Sequence, residues 1–430
     1  MKYFLAIDIG ASSGRHIVGW QQDGELKLDE VYRFRNGMQR TNDGLVWETA
    51  SLFAEVKNGL AAAIAKYKTI QSVAIDTWGV DYVLMKGDTD VCPHFAYRNE
   101  RTAARIDEVH AIVPFAELYA HTGIQFQTFN TVYQLYDDYK RGRLDGVTDF
   151  LMMPEYLSYL LTGVKKHEYT EASTGGLVNA TTKQYDCELI AKLGLPQEIF
   201  AQLDQPATVV GALLPEVAAE VGGQTMVVLC ASHDTGSAYE AVDCDESSVI
   251  LSSGTWSLIG AKLPVADTSE KSLQSNFSNE GGVGYFRYLK NIMGMWLVNE
   301  VQRKYGTPFG EIVALAEQST YAETFDVNDQ SLMAPDDMES AIKALLAANP
   351  PQSMGDLYAS IYRSLAVGYA QAVRQMENNL GKTFDKIYIV GGGAKNKFLN
   401  TLTEQYTGKT VVALPIEATA IGNLKVQMGR

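Results

Sequence analysis

Lys2-Tyr3-Phe4-Leu5-Ala6-Ile7-Asp8-Ile9-Gly10-Ala11-Ser12-Ser13-Gly14-Arg15-His16-Ile17-Val18-Gly19-Trp20, residues 2–20, is the stretch that decides the fold. Two apolar runs, Tyr3 to Ile9 and His16 to Trp20, flank the small residues Gly10 to Gly14, which is a strand, turn, strand pattern. Further on, Leu52, Phe53, Val56, Leu60 and Ile64 fall at helical spacing between Ser51 and Tyr67, and Val73 to Ile75 and Val80 to Met85 read as strands. A strand pair, a helix and another strand begin an α/β domain.

The layout recurs. Met226 to Cys230 is an apolar strand running into Ser232-His233-Asp234-Thr235-Gly236, and Ser248 to Leu251 runs into Ser252-Ser253-Gly254-Thr255, with Trp256 to Lys262 as the return strand. Met354 to Leu380 is a long amphipathic helix leading into the strand Lys386 to Val390, which ends in Gly391-Gly392-Gly393. Two half-chains therefore repeat one plan. The acidic stretch Asp243 to Ser247 is the expected junction, giving domains at 1–243 and 244–430 with a cleft between them.

Length and composition agree with two domains: 430 residues, 46% hydrophobic and 20% charged, exceed what one hydrophobic core usually serves. The longest apolar runs are too short to cross a bilayer, and Met1 to Ile9 enters a strand instead of a signal segment, so a cytoplasmic protein is expected. A net charge of −15 without a basic cluster argues against nucleic acid or an anionic membrane as partner. It does not exclude a nucleotide, because exposed charges beyond about 8 Å are screened and a phosphate answers to its nearest donors. Cys92, Cys187, Cys230 and Cys244 lack CxxC spacing and read as reduced, structural thiols.

Small residues after a strand let backbone N–H groups approach an anion without a Cβ in the way. Three turns qualify: Gly10 to Gly14 with the cation of Arg15 beside it, Ser252 to Thr255, and Gly391 to Gly393. No GxxxxGK[ST] segment occurs, and the glycine triplet lacks dinucleotide GxGxxG spacing, which sets aside Walker-type and Rossmann sites. Asp8, at a strand end beside the first turn, is either a turn cap or a Mg²⁺ partner acting through water. His233-Asp234 follows an apolar strand, where open α/β sheets put chemistry, and Asp234 is the first choice for a general base that would aim and deprotonate a hydroxyl.

Asp8 to Arg15, Ile75-Asp76-Thr77-Trp78-Gly79-Val80-Asp81 and Ala231-Ser232-His233-Asp234-Thr235 resemble signature segments of the FGGY carbohydrate kinases. Gly123-Ile124-Gln125-Phe126, Phe129-Asn130-Thr131, Ser253 to Leu258, Leu289 to Gly294 and Val390 to Gly393 are similar to the same family, in order, from Tyr3 to about Leu424. The resemblance implies two ribonuclease H-like, actin-like ATPase domains, the first mainly binding sugar and the second mainly ATP, with the active site in the cleft. It implies ATP- and Mg²⁺-dependent phosphorylation of L-rhamnulose at the 1-hydroxyl; L-fuculose, xylulose or glycerol are the alternative acceptors, and a non-catalytic nucleotide-binding module the alternative class.

By the same carry-over, Ala11, Ser12, Ser13, Gly14 and Arg15 lie along the ATP phosphates, and Thr255, Asn299 and Gly392 contact the nucleotide. Gly79, His233, Asp234, Thr235 and Asn291 contact the sugar, with Asp234 as base. Two departures stand out. The family often carries Trp-x-Asp-x-Arg in the sugar pocket where this chain has Tyr97-Arg98-Asn99-Glu100-Arg101, leaving open what Asn99 and Arg101 do. After Ile421-Gly422-Asn423-Leu424 similar proteins continue with more helix, so the second domain is expected to be shortened.

Overall fold

The structure, a computed structural model, describes residues 1–414 and 417–429. The small-residue turn at Gly10 does what its composition predicts. Strand β1 (Phe4–Ile9) turns into β2 (Ser13–Gln22), and β2 continues antiparallel into β3 (Glu25–Arg35). A short hairpin, β4 (Gln39–Thr41) and β5 (Gly44–Val46), leads to the helix Thr49–Tyr67. That helix buries Leu52, Val56, Leu60 and Ile64 of the helically spaced set and leaves Phe53 half-buried.

After the helix, β6 (Ser72–Thr77) returns parallel to β1, buried along its whole length as a central parallel strand must be. A side sheet of β7 (Tyr82–Lys86), β8 (Thr89–Asp90) and β9 (Asp149–Met152) follows, and then β10 (Val209–Ala212) and β11 (Met226–Val228). The main sheet has the order β10-β11-β6-β1-β2-β3, with β11 parallel to β6. β11 is shorter than the apolar run suggests, because beyond Val228 the backbone of Leu229 pairs with residues 207 and 208 instead.

The second half repeats this plan. Strand β12 (Ser248–Ser253) turns back into antiparallel β13 (Trp256–Leu263). Next come β14 (Ser278–Gly281), β15 (Phe286–Met293), the capped helix Met354–Leu380, β16 (Lys386–Val390) and β17 (Thr410–Ala413). The strands run β15-β13-β12-β16-β17, with β16 parallel to β12 and β17 parallel to β16. In each sheet an antiparallel hairpin (β1–β2, β12–β13) is followed by two parallel strands (β6 and β11, β16 and β17), which is the duplicated actin-like arrangement.

Contacts divide the chain into two compact units that are not simply consecutive. One holds Met1–Ala241, Leu263–Arg287 and the chain from Thr419 onward; the other holds Val242–Lys262 and Tyr288–Ala418. In the first unit, Tyr119 donates to the Phe277 carbonyl and Gly281 N–H donates to Ser173 Oγ, which ties the 263–287 segment to it. The helix Ala418–Gln427 packs Ala420 and Leu424 against Ala6 and Ile17, and Val426 against Ala74 and Cys230. Among the described residues no helix is long and apolar enough to cross a membrane.

Candidate active site

The register of the first unit's sheet creates a cluster of carboxylates. Asp8 pairs with Arg15 across the antiparallel β1–β2 ladder and with Asp76 across the parallel β1–β6 ladder, so the three side chains share one face at the strand ends. Arg15 donates to Asp8 Oδ2 at 2.7 Å. Asp76 is fully buried; Asn423 Nδ2 donates to its Oδ2 at 2.5 Å, and its Oδ1 has no hydrogen-bond partner among the described residues. Burial first, then the nearby charge of Asp8, holds the Asp76 carboxyl well above the usual range.

His233 bridges to Thr77 in parallel at the end of β6, while Thr77 N–H donates to the Ser232 carbonyl. This delivers the helix Asp234–Glu240 to the carboxyl edge of the sheet, beside the strands that carry Asp8 and Asp76. Asp234 keeps 31% of its side-chain surface open, and Thr235 Oγ1 donates to its Oδ1 at 3.1 Å. Burial raises the Asp234 carboxyl, His233 opposes this, and Asp8 adds to it. A carboxylate that is reachable, ionisable and of raised basicity has the properties of a general base.

Behind His233 sits a charged pair. Arg287, with no exposed surface, points Nη1 at His233 Nδ1 from 2.9 Å and lies 3.0 Å from Glu280, whose Oε2 is 3.2 Å from the same ring nitrogen. Nδ1 thus faces both a donor, Arg287, and an acceptor, Glu280, which together fix the plane of the ring, while Nε2 lies 3.5 Å from Asp234 Oδ1. Burial works to raise Glu280, but Arg287 and His233 outweigh it and keep this carboxyl below its ordinary value. A second buried acid, Glu168, accepts from the backbone of Thr170, Glu171 and Ser232, and so holds the residue preceding His233.

The Trp78-Gly79-Val80-Asp81 turn is clamped just as firmly. Val80 has φ of 69°, a left-handed conformation strained for a β-branched residue. It is held because Thr174 Oγ1 accepts from Val80 N–H while Thr131 and Gln134 donate to the Val80 carbonyl. The indoles of Trp47 and Trp78, 3.9 Å apart, both donate to Asp81 Oδ2, as does Tyr97 N–H. A Cβ on Gly79 would come within 3.0 Å of Thr174 Oγ1, so the turn needs glycine there for packing.

In the second unit the remaining turns meet at equivalent strand ends. β12 and β16 are in parallel register at Ser252 and Val390, which sets Gly254–Thr255 beside Gly391–Gly393. A Cβ on Gly393 would fall 1.9 Å from Ser253 Oγ, and Gly391 has φ of 83°. Met295 and Trp296 N–H groups donate to the Gly254 and Thr255 carbonyls, seating the helix Trp296–Tyr305, which carries Asn299, on that turn. Gly392 is exposed; Asn291 lies on β15.

Within the first unit the structure thus gathers Asp8, Arg15, Gly79, His233, Asp234 and Thr235, and within the second Thr255, Asn299 and Gly392. In the first turn Ser12 and Ser13 are exposed and Ala11 partly so, whereas Gly14 is buried with Phe34 2.2 Å from where its Cβ would stand. Packing alone accounts for that glycine. Asn99 and Arg101 are committed to structure. Asn99 caps the turn of helix Glu100–Arg105, and Arg101 pairs with buried Asp137 and Asp138 at 3.1 and 2.9 Å.

Residues 3–239 match the N-terminal domain, and residues 249–429 the C-terminal domain, of the FGGY family of carbohydrate kinases. The chain belongs to the FGGY family of carbohydrate kinases. This FGGY kinase is 43% identical to the rhamnulokinase of Oceanobacillus iheyensis, over 99% of this chain and 92% of that one. It is 41% identical to the rhamnulokinase of Halalkalibacterium halodurans, over 99% and 93%. Among solved structures, xylulose kinase from Lactobacillus acidophilus superimposes with a TM-score of 0.81 at 15% identity, covering 99% of this chain and 89% of that one. Glycerol kinase of Plasmodium falciparum with ADP does so with 0.76 at 13%, covering 99% and 89%. At such identities these structures speak to the fold, which is that of a two-domain FGGY sugar kinase.

Three residues of this kinase's site escaped the motif reading. Asp76 was visible within the Asp-Thr-Trp-Gly segment and sits at an apolar strand end as Asp8 does, a signal that could have marked it. Glu280 and Arg287 carry no local signal.

Proposed function

We propose that the chain transfers the γ-phosphoryl group of ATP to the 1-hydroxyl of L-rhamnulose in the catabolism of rhamnose. The choice of sugar is supported by rhamnulokinases 36–43% identical over nearly the whole chain. The choice of chemistry rests on one observation, a partly open carboxylate of raised basicity, Asp234, at the carboxyl edge of the sheet beside His233.

Asp234 accepts the proton of the sugar 1-hydroxyl as that oxygen bonds to the γ-phosphorus and the bond from that phosphorus to the β,γ-bridging oxygen breaks, releasing ADP. His233, its Nδ1 held between Arg287 and Glu280, presents Nε2 to a sugar oxygen and fixes the acceptor's orientation. Gly79 and Thr235 flank it. In the first unit the Gly10–Arg15 turn offers N–H groups and a cation to phosphate; in the second, Thr255, Asn299 and Gly392 offer contacts to a nucleotide.

Asp8, Asp76 and Asp234 suit a hard divalent cation, and the orphan Oδ1 of buried Asp76 fits one. Mg²⁺ held through water by these carboxylates would supply positive charge to the phosphates. The test is ADP release from MgATP with L-rhamnulose, L-fuculose, D-xylulose and glycerol offered singly beside a no-sugar control. Strong preference for L-rhamnulose supports the proposal. Preference for another acceptor overturns the substrate, and turnover indifferent to sugar overturns the reaction.

A further inference from the structure

Asp90 ends β8, Cys92 lies in the bend that follows, and His94 comes two residues later. They converge. Asp90 Oδ2 is 2.9 Å from His94 Nε2 and 3.5 Å from Cys92 Sγ, and Sγ is 3.8 Å from Nε2. Bond lengths of about 2.0–2.3 Å at tetrahedral angles place the ligand atoms of zinc roughly 3.4–3.6 Å apart, close to this triangle.

The backbone beneath the three is pinned from several directions. Val91 N–H donates to the Leu84 carbonyl, Trp47 N–H to that of His94, and the Arg143 guanidinium to those of Val91, Cys92 and Pro93. His94, 5% exposed in its side chain, has its far nitrogen Nδ1 2.8 Å from Oγ1 of buried Thr49, the first residue of the helix Thr49–Tyr67. When Nδ1–H donates to Thr49, Nε2 is a bare lone pair facing a carboxylate and a thiol, an arrangement that a cation among the three satisfies. A hydroxyl orienting the second nitrogen of a histidine is also the outer support that metal-bound imidazoles commonly have.

We propose that Asp90, Cys92 and His94 form a binding site for a borderline-soft divalent cation, chemically Zn²⁺, open to solvent at its fourth position. One sulfur, one nitrogen and one oxygen disfavour Mg²⁺, so this site does not compete for the cation of the kinase reaction. Two anionic ligands neutralise the ion; the Arg143 guanidinium, whose charge reaches Cys92 and His94, is itself paired with Asp138 at 2.8 Å. Binding clips β8 and the 91–94 segment to the start of the helix Thr49–Tyr67. A search for paired cysteines passes over this set because only one ligand is a thiol.

The experiment is a titration of the purified full chain with Co²⁺ alone, after chelator treatment and removal of the chelator. One equivalent is expected to bind with a thiolate-to-cobalt charge-transfer band and the strong visible bands of a four-coordinate ion, bleached by Zn²⁺ and untouched by excess Mg²⁺. Cys92→Ser, at an exposed position, removes the charge-transfer band with the circular dichroism spectrum unchanged, while Cys187→Ser retains it. Thr49→Val weakens Co²⁺ binding about 10- to 100-fold, as loss of an outer partner does. Absence of the band in the unmodified chain, or its survival in Cys92→Ser, overturns the proposal.

Discussion

Arg287 Nη1 stands 2.9 Å from His233 Nδ1, inside a unit where Arg287 has no solvent contact at all. A fully buried guanidinium is retained only when its neighbours are charged or accepting, and here they are Glu280, the Gly281 and Thr170 carbonyls, and the ring itself. Arg287→Met should therefore lose about 3–5 kcal/mol in urea unfolding by stranding Glu280. In Arg287→Met with Glu280→Met, stability should recover substantially while the sugar KM stays raised, because nothing then fixes the His233 ring. Recovery of both would mean the pair serves only the core.

Asp234→Asn should lower kcat by roughly 10²- to 10⁴-fold with sugar KM little changed, because the amide aims the hydroxyl but takes no proton. Steady-state kinetics with each substrate varied will decide it. Near-normal turnover would remove Asp234 from the base role.

The pairing of Asn423 with Asp76 predicts a cation effect. Asn423 donates to Asp76 and lowers its pKa against the pull of burial, so Asn423→Leu moves that carboxyl further up. A protonated carboxyl holds a cation poorly. The Mg²⁺ concentration for half-maximal activity should rise in the variant, more so at pH 6 than at pH 8. An unchanged requirement at both pH values would separate Asp76 from cation binding.

Asp81 takes three hydrogen bonds on one oxygen, from Trp47, Trp78 and Tyr97, and a fourth from Gln134 on the other. Each buried donor left without an acceptor costs about 1–3 kcal/mol. Asp81→Ala should thus be far more destabilising than Asp81→Asn, which keeps an oxygen toward the indoles. Burial, opposed by those donors, moves the Asp81 carboxyl to about 6, so the unmodified chain gains stability as pH falls through that value and the deficit of Asp81→Asn should widen below it.

Glu155 gives a stability signature that is independent of catalysis. Burial lifts its carboxyl from 4.5 to about 7. With the folded value above the unfolded one, its contribution is complete below pH 4.5 and is lost as pH rises through 7, on the order of 3 kcal/mol in all. Glu155→Gln should flatten this, so that its stability relative to the unmodified chain improves between pH 5 and pH 8 in paired denaturant titrations.

How much of this was legible depends on distance along the chain. The helix Met354–Leu380 was readable end to end because Ser353 and Asp356 form a capping box and Gly381 ends it at φ of 62°. The strand-and-turn repeat was readable because apolar runs stop at small residues. His233 and Asp234 were readable because both are local to one strand end. Arg287 was not, since 54 positions separate it from His233 and its strand has no motif that announces a charge. Nor could spacing reveal that Arg101 answers Asp137 and Asp138, which turns a residue of open role into a structural anchor.

The helix Ala418–Gln427 closes the first unit's sheet from far along the chain; Asn423 lies 347 positions after Asp76. At about 5–20 residues per second, a ribosome needs roughly 20 to 70 s to travel that interval. Throughout it, the apolar face around Ala6, Ile17 and Ala74 has been made but its cover has not. A chain that ends before this helix therefore lacks the last piece of its first unit and leaves that apolar face open to proteases.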